Sequence, residues 1–421
     1  MGKNRKNQDI WNIVIIGAGA SGMMSAITAA KNTNNKKILL IEQMDKVGKK
    51  LLATGNGKCN FTNAYMDSSC FHGDNTWIKQ MLSRFGAQDS LSFFHEIGIY
   101  PKEKNGYYYP MSEQASSVVF ALEQELIRLG ICIKYATNVK EIIETTYGFD
   151  LKTNQETFYA KKVIIATGLL ASPKLGSNGS IFSAIKKLGH HFSPILPALC
   201  GFYANGLPFK KISGVRAIGT VEAYVDNQFQ VSDTGEIQFT DYGISGIPVF
   251  QISHILSKGL YHKKNVTVQI RLLSDFTQEA LWNELTFRKN RYLQSLNQTK
   301  LVISLLNGLL NQKLADMIFS LCHIPKELPF YALSDKDMKH LCHTIQNLCV
   351  TIEKPRDFEF AQVCTGGIPV HEIDTNTLES ALIPNLYFAG EILDVDGICG
   401  GYNLQWAWTS GYVAGISASK E

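Results

Sequence analysis

No stretch of this chain is apolar for long enough to span a bilayer as a helix, so a helical membrane protein is not expected. A signal-peptide core is missing as well. The first apolar run, Ile13 to Ile16, has the length of a strand. The nine cysteines are scattered without the paired spacing that holds zinc, and an odd count argues against a disulfide framework. A reduced, cytoplasmic setting with no bound metal is the expectation. No Gly-x-Ser-x-Gly elbow occurs, so a serine hydrolase is not expected either. Neither sign of charge dominates: 41 basic and 37 acidic side chains leave a net charge of +4. The one basic run, Lys3 to Asn7, reads as a solvated tail, and nucleic acid is not an expected partner. Internal repeats and low-complexity segments are absent from the sequence.

Apolar residues are plentiful. They make up 45% of 421 residues, a globular composition with enough chain for two or three domains. The informative segment is Ile13-Val14-Ile15-Ile16-Gly17-Ala18-Gly19-Ala20-Ser21-Gly22. An apolar strand runs into Gly-x-Gly-x-x-Gly, and Met23, Ala26, Ile27 and Ala30 follow at helical spacing. Gly17 permits the turn, Gly19 lets backbone approach a pyrophosphate, and Gly22 lets the helix lie on the strand. The free N–H groups at the helix start then face phosphate. A second strand, Lys37 to Ile41, ends in Glu42, placed 20 residues after Gly22, where a carboxylate suits a ribose hydroxyl. Strand, turn, helix, strand and acid in this order predict a dinucleotide site. The next segment, Gln43 to Asn63, reads as a polar loop without helix or strand, broken at Gly55-Asn56-Gly57.

Further along, Trp77 to Phe85 and Asp89 to Ile97 read as helices, and Ile99 to Pro110 as a hairpin region turning near Gly106. A helix is expected from an N-cap at Ser112 to Leu129. Strands are expected at Ile131 to Tyr135, Val139 to Thr145, Tyr147 to Lys152 and Thr157 to Ala160. The run Lys161 to Gly168 is a buried strand that ends in Ala-Thr-Gly and returns the chain to the dinucleotide site. The texture changes at Pro194. Strands are expected at Gly219 to Gln230, Glu236 to Thr240 and Val266 to Leu272. Helices are expected at Gln278 to Arg288, Lys300 to Leu310, Lys313 to Cys322 and Asp335 to Leu348. After Phe358 an apolar strand leads to Gly390-Glu391, and Gly400-Gly401 opens a final helix. The fold expected is α/β: a discontinuous Rossmann-like dinucleotide-binding domain, residues 1–193 and 356–421, with an inserted domain of small β-structure plus a helical cluster, residues 194–355.

Six segments carry a family resemblance. They are VIIGAGASGMMSA, VGKKLLATGNGKCNFTN, GYYYPMSEQASSVV, FTDYGISGIPVFQIS, TGGIPVHEIDTNTLESALIPNLYFAGEILDVDG and GGYNLQWAWTSGYVAG. On these the chain resembles, essentially end to end, the flavoprotein family containing aminoacetone oxidase-like and bile-acid reductase-like enzymes. The resemblance implies bound FAD, a discontinuous Rossmann-like FAD-binding domain and an inserted β-barrel-like plus helical domain. By position it implies that Gly17, Gly19, Ala20, Ser21 and Gly22 face the pyrophosphate and that Glu42 takes the adenosine ribose. Lys50, Leu51, Gly55, Asn56, Gly57 and Asn60 would lie along the ribityl chain and flavin ring. Val139 would meet adenine through its backbone, and Thr167 and Gly168 would pass the pyrophosphate. Gly390 and Glu391 would reach the ribityl-phosphate region, and Gly401, Asn403 and Leu404 the flavin pyrimidine. Two positions depart: many relatives carry Gly-Gly-Gly at Gly55-Asn56-Gly57, and many carry His at Asp241.

FAD would supply the redox chemistry, with NAD(P)H as transient reductant and an activated double bond of a small apolar substrate as acceptor. Alternatives are an oxygen-using amine oxidase and an FAD-bound RNA-binding or RNA-modifying protein, the latter drawing on Lys210, Lys211, Lys263, Lys264, Arg288, Lys289 and Arg291. No catalytic residue is assigned. Cys59 reads as packing rather than redox thiol, Tyr402 as proton donor or packed ring, and Asp396 as ribityl contact or turn brace. His190 and His191, read on a helix, would point apart. The insert is expected to wall the substrate pocket, with Thr240 to Gly246 approaching the ring.

Overall fold

The computed structural model describes residues 10–34, 37–294 and 301–420. The basic run Lys3 to Asn7 lies outside them, as does Lys300. The chain opens with β1 (Ile10–Ile16), α1 (Ala20–Asn32), β2 (Ile38–Ile41), α2 (Lys49–Leu52), β3 (Thr62–Asn63) and β4 (Phe71–His72). It continues through α3 (Asn75–Arg84), α4 (Ala87–Glu96), β5 (Pro101–Lys104), β6 (Tyr107–Pro110), α5 (Ala115–Arg128) and β7 (Cys132–Lys134). Then come β8 (Val139–Thr145), β9 (Gly148–Thr153), β10 (Thr157–Ile165) and α6 (Phe182–Lys187). After β11 (Leu196–Ala198) follow β12 (Phe202–Asn205), α7 (Phe209–Ile212), β13 (Arg216–Val225), β14 (Gln228–Phe239), β15 (Gly243–Gly246), α8 (Ile247–Tyr261) and β16 (Val266–Leu272). Next are α9 (Gln278–Leu293), α10 (Gln312–Leu321), α11 (Asp335–Gln346) and β17 (Leu348–Pro355), before β18 (Val363–Thr365), β19 (Leu386–Phe388), β20 (Asp396–Gly397) and α12 (Tyr402–Ser419).

Two compact units result: Met1–Leu196 with Ala361–Glu421, and Pro197–Phe360. These boundaries fall three to five residues beyond those read from the sequence. The first unit is built on a seven-stranded sheet in the order β7, β2, β1, β10, β9, β8, with β19 also on β10. β7, β2, β1, β10 and β19 are mutually parallel, while β9 and β8 are antiparallel. Buried on both faces, the Ile13–Ile16 half of β1 and all of β2 read as unbroken apolar runs. Each fully buried Ile or Val there contributes about 1.5–3 kcal/mol. β10 is one strand, not the two expected at Thr157 and Lys161: its first half pairs with β9 and its second with β19. α12 lies against α1 so closely that a Cβ at Gly411 would stand 2.5 Å from the Ser21 carbonyl oxygen.

The polar loop after Glu42 is more ordered than expected. It holds α2, one 3-10 turn over Thr54–Gly57, and β3. The break does fall at Gly55-Asn56-Gly57, where three consecutive φ values are +55°, +53° and +83°. Asparagine tolerates that left-handed region better than other side chains, which is how this chain replaces the middle glycine. Ser112 does not cap α5: the N-cap is Gln114, without a side-chain bond.

The second unit centres on a closed barrel in the order β12, β15, β14, β13, β16, β17, filled by side chains such as Val221, Phe239, Ile244 and Ile270. The strand expected over Gly219 to Gln230 is a hairpin. Asp226 and Asn227, at φ +51° and +64°, turn the chain between β13 and β14 as a two-residue loop requires. The expected helix over Lys300 to Leu310 is, in its described part, a 3-10 turn at Val302–Leu306. α8 was not anticipated. It starts with Pro248 in its first turn, where the missing N–H costs nothing.

Candidate functional site

The carboxyl ends of β1, β10 and β19 lie on one edge of the first unit's sheet. At such an edge a parallel sheet opens its ligand crevice. β1 passes into Gly17, whose φ of +99° only glycine adopts freely and whose Cβ would stand 2.7 Å from the Ala166 oxygen. A Cβ at Gly22 would collide with the Gly17 carbonyl, so α1 sits on the turn. Gly19 is different: a Cβ there would meet nothing within 4 Å. Its side faces open space at the start of α1, and no side chain caps that helix end. The unpaired amides and the positive end of the dipole face outward together.

Glu42 stands behind this turn and is buried. Its Oε2 accepts from the Ala18 N–H and its Oε1 from the Met44 N–H, each at 2.8 Å. Burial pushes the carboxyl above its ordinary 4.5, against the pull of those amides. Its backbone also binds the loop between β7 and β8, since the Thr137 N–H donates to the Glu42 carbonyl at 2.9 Å. Val139 begins β8 two residues on, buried.

On the other side of α1, Ser21 packs against Gly390, where a Cβ would strike its hydroxyl. The Gly390 N–H donates to Ser410 Oγ at 2.9 Å and the Trp406 indole donates to the Gly390 carbonyl at 3.3 Å. Glu391 follows. It takes Lys50 Nζ at 2.8 Å on Oε2 and the Cys364 N–H at 2.8 Å on Oε1. A Cβ at Gly168 would lie 3.3 Å from the same Oε2. Ser21, Lys50, Gly168, Gly390 and Glu391, scattered along the sequence, therefore share one place. Thr167 precedes Gly168 there, half-buried. Ser410, Trp406 and Cys364 were not foreseen as parts of it, because no local pattern marks a hydroxyl, an indole and an amide that act only after folding.

A second uncapped helix start faces the loop. Gly401, at φ +92°, begins α12 without a side-chain cap. A Cβ on it would approach Asn60 Oδ1 at 2.9 Å, and that oxygen is buried without a hydrogen-bond partner. Leu404 lies in the first turn of α12, half-buried. Asn403 is occupied locally. Its amide takes the Gly397 N–H at 2.8 Å and donates to the Gly397 carbonyl at 2.7 Å, bracing the turn before the helix. The open space at Gly19 and two uncapped helix starts call for acceptors and the unpartnered Asn60 oxygen for a donor, which fits an elongated group carrying both, such as FAD. Gly17, Gly19, Ala20, Ser21 and Gly22 would hold one end of such a group and Leu51, Gly55 to Gly57, Asn60 and Gly401 the other.

The candidate reactive side chains fare less well. Cys59 is fully buried, and burial pushes its thiol up to about 12, so it packs. Tyr402 is buried with its ring edge-on to Phe71 at 5.7 Å, and burial followed by the Cys70 thiol raises its phenol. Asp396 is buried against His72 Nδ1 at 2.9 Å. His190 and His191 do not point apart. They follow α6 outside any helix, and both Nδ1 atoms bind Glu372, at 2.7 and 2.8 Å.

A family model described as the HI0933-like protein Rossmann domain matches residues 11–417. The chain belongs to the HI0933-like family. It is 41% identical to the 3-dehydro-bile acid delta(4,6)-reductase of Clostridium scindens, over 97% of this chain and 99% of that one. It is 30% identical to the ribosomal RNA dihydrouridine synthase of Escherichia coli, over 96% of each. Among solved structures, the 3-ketosteroid-delta4-(5alpha)-dehydrogenase of Rhodococcus jostii superposes with a TM-score of 0.51 at 15% identity, covering 99% of both chains, and so shares the fold. This HI0933-like protein is an enzyme, an FAD-dependent oxidoreductase. No helix among its described residues is long and apolar enough to cross a membrane.

Proposed function

We propose that this enzyme takes hydride from NAD(P)H and adds it to a carbon–carbon double bond conjugated to a carbonyl, in a small apolar substrate of the steroid type. The observation that carries this reading is 41% identity to a delta(4,6)-reductase over nearly the whole of both chains. The dihydrouridine synthase relatives support the same reaction class, since a dihydro product is again a saturated carbon–carbon bond. FAD, when bound, supplies the hydride relay. The chain's own residues bind and orient it. In this reading Gly19, Ala20 and Ser21 hold the pyrophosphate on the α1 amides, and Glu42 takes the ribose hydroxyls. Lys50 and Glu391 fix the middle of the cofactor, and the start of α12 places positive potential at the pyrimidine edge.

The measurement is anaerobic mixing of the yellow protein with NADPH or NADH, then with a conjugated 3-keto steroid. Flavin bleaching by the nucleotide and recovery of colour with the steroid are expected. Bleaching by aminoacetone instead, with recovery only in oxygen, would make it an amine oxidase. RNA as substrate has the relatives' names in its favour, but two of the insert's seven basic residues named above are engaged within it. Arg288 is bound to Glu284 at 2.6 Å, and Lys289 to the Leu333 carbonyl at 2.6 Å. RNA that co-purifies with the protein and oxidises the reduced flavin would reverse that choice. Asp241 is exposed in the turn before β15, where many relatives carry His. Asp241→His is expected to shift KM or substrate preference with FAD content unchanged.

A further inference from the structure

The sequence holds one complete dinucleotide fingerprint, and the first unit uses it for FAD. A nicotinamide nucleotide must then be held by something other than a second Rossmann turn. The first unit offers a cavity of about 230 Å³ lined by Lys58, Lys102, Lys104, Tyr107, Tyr109 and Glu113. Lys102 and Lys104 alternate on β5, opposite Tyr109 and Tyr107 on β6, so the four side chains share one face of the hairpin. The hairpin turns at Asn105 and Gly106, both at positive φ. Lys58 comes from the loop that follows Gly55-Asn56-Gly57. The Tyr109 ring lies 3.9 Å from where a Gly55 Cβ would stand, and the Tyr107 ring 3.2 Å from that of Gly400. The cavity thus borders both segments assigned to the flavin end of the cofactor.

Its charge is one-sided. Three lysines face a single carboxylate, Glu113, which takes Lys58 Nζ at 2.9 Å and Lys102 Nζ at 2.6 Å. Glu113 holds this position at a φ of +50°, a conformation side chains rarely adopt. The two ammonium groups hold its carboxyl down to about 2, so it stays ionised. Lys104 is exposed and has no ion pair among the described residues. Ammonium groups bind phosphate as point charges, and tyrosine rings give a base or ribose an apolar platform. The volume is below the roughly 300–1,000 Å³ of sites that enclose a whole small molecule, so one end of a dinucleotide fits and the rest stays outside.

We propose that this cavity anchors the phosphate-bearing end of the nicotinamide dinucleotide that reduces the flavin, with Lys104 as the free ammonium and Glu113 as the carboxylate that tempers Lys58 and Lys102. The proposal rests on the reductase reading above. The test uses the FAD-loaded protein and two redox-inert fragments, ADP-ribose and its 2′-phosphate, titrated by calorimetry. Lys104→Glu is expected to weaken fragment binding about tenfold or more, and Glu113→Gln, which frees two lysines, to tighten it several-fold. Both variants are expected to keep wild-type FAD content and reduction by dithionite. In anaerobic mixing the half-saturating NAD(P)H concentration is expected to move in the same two directions, with the limiting bleaching rate nearly constant.

Fragment binding that is equal in all three proteins overturns the proposal, as does a wild-type protein that binds neither fragment. A uridine-rich RNA oligonucleotide that responds to both variants while the fragments do not assigns the cavity to RNA and likewise overturns it. If the fragments behave as expected but neither NADPH nor NADH bleaches the wild-type flavin, the site stands and the reductase reading falls. If both nucleotides bleach the flavin with concentration dependences blind to the variants, the reading stands and the site falls.

Discussion

Two buried glutamates of the first unit differ in what surrounds them. Glu372 is enclosed by partners: both histidine Nδ1 atoms and the His191 N–H, at 2.7 to 3.1 Å. Behind it, Ser380 Oγ accepts from the Leu382 and Ile383 amides, so its own proton goes to His190 Nε2 at 2.8 Å. That fixes the His190 tautomer, with Nδ1–H donated to Glu372. Burial works against the Glu372 charge, but the His191 amide and the two imidazoles outweigh it and hold the carboxyl below 4.5. Glu42 has only backbone amides of the chain as donors, those of Met44, Ala18 and Gln43, and there burial wins, leaving its carboxyl above 4.5. Each carboxylate oxygen has room for two donors. Glu372 is met by two imidazoles as well as an amide, whereas no side chain donates to Glu42, whose remaining acceptor capacity the fold does not fill. Glu42 stands where a ribose is expected, and the difference in partners is what a binding role for Glu42 and a structural one for Glu372 would require.

The largest effect is expected where the partners are most complete. Glu372→Ala strips three hydrogen bonds from a buried cluster and leaves two imidazoles without their acceptor. A loss of about 3–4 kcal/mol in stability follows. The check is the thermal midpoint, read beside FAD per folded molecule. The midpoint is expected to fall sharply while FAD content in the folded fraction stays at wild type. A variant that folds normally but loses FAD would erase the distinction.

Glu42→Gln comes next. Gln can accept one backbone amide but offers the ribose no charged acceptor. The Kd for FAD is expected to rise by roughly tenfold to a hundredfold, in line with about 1.5–3 kcal/mol for a charge-assisted bond. The midpoint of the FAD-free chain is expected to change less than in Glu372→Ala. Unchanged FAD affinity, measured by fluorescence titration of the stripped protein, would take Glu42 off the ribose.

This pair also shows what a sequence can reveal. The place of Glu42 behind the turn was legible because it is local: a strand, a glycine turn and a fixed count of residues. The same holds for the left-handed run at Gly55 and for the Gly401 helix start, each announced by its own residue types. Glu372 was not legible. Its partners lie 181 and 182 residues away, and the doublet His190-His191 taken alone suggests two rings pointing apart. α8 was missed for a related reason. It buries residues around most of its circumference, so the amphipathic period that betrays a surface helix is weak. The barrel strands β13 and β14 were fused because Asp226-Asn227 breaks the run with polarity alone, without the usual glycine.

The smallest effect is a difference in sign with pH. Glu372 and His190 both have folded values below their ordinary ones of 4.5 and 6.5; burial leads in lowering the imidazole. A group lowered by folding contributes stability above its unfolded value and loses it as pH falls toward the folded one. The chain is therefore expected to weaken below about pH 6.5 and further below 4.5, and Glu372→Gln should flatten the lower part. Glu42 in the FAD-free chain is raised, so it runs the other way: its contribution is present in acid and is lost as pH rises through its folded value. Donors from a ribose favour the ionised form, so FAD binding should release a proton in that range. FAD affinity is expected to climb as pH rises through the acid range above 4.5 and to level off toward neutrality. Glu42→Gln should abolish the climb and leave the Glu372 slope intact. Titrating FAD into stripped wild type and both variants between about pH 4.5 and 7.5 decides it. An affinity profile that Glu42→Gln leaves unchanged would mean that the spare acceptor capacity of Glu42 faces something other than the cofactor.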